Sequence, residues 1–323
     1  MVSVYDQESA NRRNSVVLVI VVMIAFALFG YVIGYAVTGD QDGAIAAVVI
    51  ALALSVGADL VTYYSGDSVV LASSQAREVG RDQAPVLFDV VQEMAVAAGV
   101  PMPRVYLIDD PSPNAFATGR DPAHSSVAVT TGLLAKLDRE ELQGVIGHEM
   151  SHVRNYDIRF NLLVGVLVGG IALLAQFFLR WTYWFGGGRS DSREGGNSGL
   201  IGVVFVVLGL VLSILAPIFT KLVQLAVSRQ REYLADASSA ELTRNPYGLE
   251  RALAAIAADP EPLAVANGAT QHMYIVNPLK KAGGGSALFS THPPIVDRIN
   301  RLRQLTGERP LGQSEVQLLA GLE

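Results

Sequence analysis

The chain has 323 residues, of which 50% are hydrophobic and 17% charged, and its mean hydropathy is +0.35, a balance that points to a membrane protein with soluble portions. It has no cysteine, which excludes disulfide scaffolds and cysteine-bearing zinc fingers and leaves any metal site to His and carboxylates. A net charge of -6 without a Lys/Arg tract excludes the basic footprint of a nucleic-acid-binding protein.

Residues 1–14 are polar and include Arg12 and Arg13. The apolar run over residues 15–38 is long enough to span a bilayer, and a second, residues 44–64, follows an acidic turn at Asp40 and Asp42. Residues 15–64 therefore predict a transmembrane hairpin, since a cleaved signal has a shorter core. With arginines at the start and acids at the turn, the positive-inside rule puts the N-terminus and the chain after Tyr64 in the cytoplasm.

Residues 65–158 have a soluble composition. Val86, Val90, Val91, Met94 and Ala98 share a face over residues 82–98, with Gly99 and Pro101 beyond, which predicts a helix with a defined stop. Residues 104–108 and 126–131 alternate like strands. Between them Pro111 to Gly119 is a turn-rich lead into a short segment expected to pair with 126–131.

Asp138 and Glu141 then form a capping-box signature, and Leu142, Ile146, Met150 and Val153 recur at helical spacing. His148 and His152, four apart, project from nearly the opposite side, so both imidazoles can close on one metal ion. Glu149 can reach a water on that metal without being a ligand. This is the HExxH arrangement of zinc peptidases. Taken alone, the same residues also fit a solvated helix face with two exposed histidines.

Residues 160–185 form a third apolar run, closed by Trp181, Tyr183 and Trp184, and residues 200–227 a fourth containing Pro217. Four spans keep both soluble parts on one side. Ser228 to Asp236 is expected to carry the last helix on into water, with Glu232 and Asp236 one turn apart. A catalytic zinc site takes three protein ligands and a water, so the HExxH helix needs a further donor, for which Glu232 and Asp236 are the best-placed candidates. Asn245 and Pro246 open a helix to about Ala258. Ser290 to Pro294 starts a final one, with Arg298 one turn along.

Four segments, Pro113 to Gly119 (PNAFATG), His148 to His152 (HEMSH), Ser228 to Asp236 (SRQREYLAD) and Ser290 to Pro294 (STHPP), stand in the order found in HtpX-like membrane zinc metalloproteases, relatives of the CAAX-processing prenyl proteases. The chain resembles that family over residues 70–305. The resemblance implies an α-helical membrane protein of four transmembrane helices with an α+β zincin-like (gluzincin) catalytic domain. That domain would be assembled from residues 65–158 and 228–323 around a second hairpin at 159–227.

The resemblance also implies one zinc ion per chain, held by His148, His152 and Glu232, with Glu149 as general base and Asp236 as partner of a ligand histidine. Asn114, Ala115, Phe116 and Ala117 would form the edge strand that receives substrate backbone. His292 and Arg298 would bind substrate or the oxyanion. The implied partners are polypeptides, membrane or misfolded proteins in quality control, and the lipid bilayer; the implied location is the cell membrane, with the catalytic domain cytoplasmic. Each role has a plainer rival: a solvated carboxylate for Glu232, a turn cap for Asp236, a helix start for His292, a turn residue for Asn114, a surface ion pair for Arg298. His124 and His272, outside the motifs, are expected at the surface. Two other classes stay open, a non-catalytic membrane scaffold with a relic metal site and an intramembrane site-2-type protease. The second is costly, since Arg139, Glu140, Glu141, Arg154 and Asp157 surround the motif.

Overall fold

The computed structural model describes residues 4–166, 229–259, 263–264, 270–276 and 293–320. The chain opens with two long helices, α1 (Val4–Thr38) and α2 (Gln41–Ser73). At the turn Gly39 adopts φ 75°, and the Asp40 carboxylate caps α2 by accepting from the Gly43 N–H at 2.7 Å. Small residues set how closely the pair packs. A Cβ on Gly30 would stand 2.7 Å from the Ala47 carbonyl, and one on Gly34 2.5 Å from the Ala47 methyl.

Ser9–Val32 and Gln41–Ser73 are long and apolar enough to cross a membrane, with mean hydropathies of 2.8 and 2.4. Ile20, Ile24, Leu28, Ile45, Val49 and Leu54 are all at least half exposed, a surface suited to lipid and unlike that of a soluble core helix. The expected third span, residues 160–185, is described only to residue 166, and the fourth, residues 200–227, lies outside the described residues.

The second helix continues past the end of its apolar run at Tyr64 to Ser73. Its last turns are anchored: Gly66 lies against Leu162, and Val70 and Leu71 join Tyr106, Ile108 and Phe116 in a core under the sheet. That sheet comprises β1 (Arg77–Glu78), β2 (Arg104–Ile108), β3 (Ala115–Gly119) and β4 (Ser125–Thr130), in the order β1-β2-β4-β3. β2 and β4 run parallel; the other pairs are antiparallel. Val127 pairs with Val105 on one side and Ala117 on the other. Strand alternation then turns Val105, Leu107, Ala115, Ala117, Val127 and Val129 to one core and Tyr106, Ile108, Phe116 and Ala128 to the second.

The first core is closed by helices. α3 (Pro85–Ala98) begins at Pro85, three residues later than the sequence suggests because residues 81–83 form a turn, and stops at Gly99 with φ 69°. After α4 (Thr131–Lys136) come α5 (Arg139–Arg154), α6 (Arg229–Thr243), α7 (Pro246–Ala257), α8 (Ile295–Thr306) and α9 (Gln313–Ala320). Leu87, Val90 and Met94 of α3, Ile146 and Met150 of α5, Leu253 of α7 and Ile299 of α8 share this core.

Candidate metal centre

The helix carrying the HExxH motif is fixed at its start by the expected capping box: the Asp138 carboxylate accepts from the Glu141 N–H, and the Glu141 carboxylate from the Asp138 N–H, each at 2.9 Å. A half-solvated helix is expected from the pattern, yet from Leu142 to Val153 only Gln143 escapes burial. Glycines on the histidine side explain why. A Cβ at Gly144 would come 2.5 Å from the Leu249 N of α7, and one at Gly147 3.0 Å from the Ser239 hydroxyl of α6. The Ser239 hydroxyl donates to the Gly144 carbonyl at 2.6 Å, so α6 lies directly along α5. For the same reason α6 does not extend into water: Arg231, Glu232, Ala235, Asp236, Ser238 and Ser239 are buried.

This close packing brings Glu232 to the histidines. His148 Nε2 and His152 Nε2 face each other at 3.2 Å, and the Glu232 oxygens stand 3.6 Å from the first and 3.7 Å from the second. Each ring's other nitrogen meets a carboxylate, His148 Nδ1 with Asp236 at 3.0 Å and His152 Nδ1 with Asp157 at 2.9 Å. With Nδ1 donating, both Nε2 lone pairs point into one space together with a carboxylate, which is the donor set a divalent cation requires. Two nitrogens bound tetrahedrally at about 2.0–2.1 Å lie about 3.3 Å apart, and the observed 3.2 Å between the two Nε2 atoms is close to that spacing. Burial opposes charge on His152, but the hydrogen bond it donates to Asp157 and the negative charge of Glu232, Asp157 and Glu149 outweigh it and push its pKa up to about 9. The pocket favours a cation.

Glu149 lies beside this group, 1% exposed. The Ala117 N–H of β3 approaches its carboxylate without a well-aligned hydrogen bond, so among the described residues neither oxygen has a partner. Burial raises the Glu149 pKa, against the lowering effect of His148 and His152.

The match to known proteins decides the family. The family model "Peptidase family M48" matches residues 81–306. The chain belongs to peptidase family M48. Relatives named "Protease HtpX homolog" are similar along almost the whole chain: those of Ligilactobacillus salivarius and Streptococcus uberis are each 45% identical, covering 93% of this chain and 99% of theirs. That of Dictyoglomus thermophilum is 43% identical, covering 94% of this chain and 95% of its own. The HtpX-like resemblance is thereby borne out, and the protein is a metalloprotease whose His148, His152 and Glu232 could hold the metal.

Other residues of this M48 peptidase sit differently from expectation. Arg298 is fully buried and held by Asp236: Nε and Nη2 bind the two Asp236 oxygens at 2.9 and 2.6 Å, and Nη1 donates to the Ile275 carbonyl at 2.7 Å and stands 3.9 Å from a Glu232 oxygen. Asp236 is held ionised, Arg298 and His148 outweighing the cost of its burial. The outer edge of β3 is partly covered by the chain itself: the Ile275 N–H donates to the Ala115 carbonyl at 2.9 Å and Phe116 pairs with Tyr274. Asn114 is buried and donates to the Val276 carbonyl at 3.0 Å, tying down that segment. His124 is exposed and bonded to Asp121, but His272 is buried with Nε2 on the Asn161 carbonyl, not at the surface. His292 lies outside the described residues. Asp157 joins the site without belonging to any motif; its signal in the sequence is a carboxylate five residues past His152, at the helix end.

Proposed function

We propose that this M48 peptidase is a membrane-embedded zinc endopeptidase of the gluzincin type, with four transmembrane helices and a cytoplasmic catalytic domain, acting on membrane or misfolded proteins. The observation that carries it is the convergence of His148 Nε2, His152 Nε2 and Glu232 with both Nδ1 atoms held by carboxylates. His148, His152 and Glu232 would hold one zinc ion, which when bound polarises the scissile carbonyl and acidifies water.

The rest falls to the chain's own groups. Glu149, buried and without a hydrogen-bond partner among the described residues, accepts the proton of the attacking water and returns it to the leaving amine. Asp236 fixes the His148 ring, and Arg298, paired to both its oxygens, keeps Asp236 ionised and oriented, a positioning role in place of the oxyanion contact. His292 keeps the substrate or oxyanion role that the family resemblance implies. Because residues 274–276 already cover β3 at Ala115 and Phe116, substrate backbone is taken by the edge from Ala117 onward, beside Glu149. The exposed apolar hairpin favours substrates met at the membrane. A site-2-type position inside the bilayer is disfavoured by Arg139, Glu140 and Arg154 on α5 itself.

Purified full-length wild type and Glu149→Gln test this through zinc content and casein digestion. Glu149→Gln is expected to keep zinc and lose about 10²–10⁴ in rate. Near-wild-type cleavage with full zinc would remove Glu149 as the base, and a wild type that holds zinc without cleaving would leave the relic-scaffold reading.

A further inference from the structure

Asp157 holds His152 with only one of its oxygens. The other, Oδ1, accepts a hydrogen bond from the side-chain amide of Asn11, in the first turns of α1, and the same amide donates to the Asn155 carbonyl at 2.9 Å. Asn11 and Asp157 are each 1% exposed. The contact belongs to a continuous interface. The Arg12 guanidinium stacks 4.3 Å from the Tyr156 ring centre, and further along α1 Leu18 and Val22 pack on Phe160, Leu163 and Val164. The start of α1 thus grips residues 155–157, the turn that leads out of the HExxH helix.

A carboxylate bonded through one oxygen still turns about its Cβ–Cγ bond, and turning it would swing the histidine ring it holds. Arg231 Nε stands 3.7 Å from Oδ1, an ion pair beyond hydrogen-bond reach. Among the described residues, the Asn11 amide is therefore the hydrogen bond that sets the plane of the Asp157 carboxylate. We propose that Asn11 is a positioning residue of the metal centre, acting through Asp157 on His152, so that the N-terminal end of α1 is part of the site as well as a membrane anchor. This rests on the reading of His148, His152 and Glu232 as zinc ligands. A chain deprived of its first turns would keep all three ligands and the base, yet lose a fixed His152.

The test titrates full-length protein in detergent with zinc against a chromogenic chelator, and records the unfolding midpoint of each metal-free variant. Asp157→Asn is expected to weaken zinc binding by the 10- to 100-fold typical of losing a ligand's carboxylate partner, and Asn11→Ala by about tenfold, the low end of that range. Asn11→Asp keeps the volume but sets carboxylate against carboxylate, so its loss should be at least as large. In the Asp157→Asn background Asn11→Ala should add nothing, because the link is already cut. Should Asn11→Ala lower the metal-free midpoint, Asn11→Asp decides alone. Wild-type zinc affinity in both Asn11 variants, with His148→Ala abolishing binding, overturns the positioning role and leaves the zinc reading standing. A loss from Asn11→Ala that persists in full beside Asp157→Asn overturns it too, since Asn11 would then act through helix packing alone. A wild type that binds no zinc overturns both.

Discussion

Glu232 and Asp236 stand one turn apart on α6, yet removing them should have different consequences. Glu232 faces both Nε2 atoms, while Asp236 bonds His148 Nδ1 and Arg298. Glu232→Ala should therefore empty the site. Asp236→Ala should leave zinc bound but weaker by about 10- to 100-fold, and it also takes from the buried Arg298 its two carboxylate hydrogen bonds, leaving the Ile275 carbonyl and a 3.9 Å ion pair with Glu232, which adds a loss of stability. Zinc content and chelator competition for the two variants measure the asymmetry, and an empty Asp236→Ala beside a loaded Glu232→Ala would exchange the roles. His148, Glu149 and His152 were legible because helical spacing alone brings them together. Glu232 and Asp236 were legible as candidate donors from the need for a third ligand, but which of them is the ligand was legible only through family resemblance, since nothing local ties α6 to α5. Asn11 was not legible at all, because its partner Asp157 lies 146 residues away and their meeting depends on how α1 docks.

Among the elements, the strands and capped helices followed the pattern closely: β2 spans the expected residues and β4 is displaced by one. Sequence periodicity misjudged α5, because it counts apolar side chains and a glycine face reads as polar when it is in fact a packing surface. Gly144→Ala tests that surface. Alanine favours a helix over glycine by about 1 kcal/mol, but the new methyl would meet the Leu249 backbone, which cannot rotate away, and overpacking costs about 1–3 kcal/mol. The net expectation is a lower Tm, and a larger drop than for Gly147→Ala, whose nearest neighbour is a side-chain hydroxyl. An unchanged Tm would mean that α5 and α7 are not in backbone contact. The segment covering β3 has its own signature. Burial pushes the Tyr274 phenol up to about 12, against about 10 when unfolded. Its contribution is therefore present in full below pH 10 and fades as pH rises toward 12, by roughly 2–3 kcal/mol. Wild type should lose more Tm between pH 9 and 11.5 than Tyr274→Phe, and equal losses would contradict the docked segment.

For the whole molecule, the two apolar helices were legible from hydropathy, but their extent was not, because α2 outruns its apolar stretch to reach the sheet. The absence of cysteine makes the proposed topology open to labelling at single introduced thiols. On intact cells an impermeant maleimide should modify Asp42→Cys, in the exposed first turn of α2, and spare the exposed Val96→Cys and Ser314→Cys. The reverse pattern would invert the protein. The unbroken course of α2 also has a metric consequence. Its 33 residues measure about 50 Å at 1.5 Å per residue, of which a bilayer core takes about 30 Å. On the sheet side of the apolar run, residues 65–73 make about 14 Å of stiff rod at that rise, with no break in the helix to shorten or lengthen it. In the membrane topology proposed above, the rod would act as a gauge: a scissile bond presented a fixed distance above the membrane would meet the peptidase, and a bond still immersed in lipid would not.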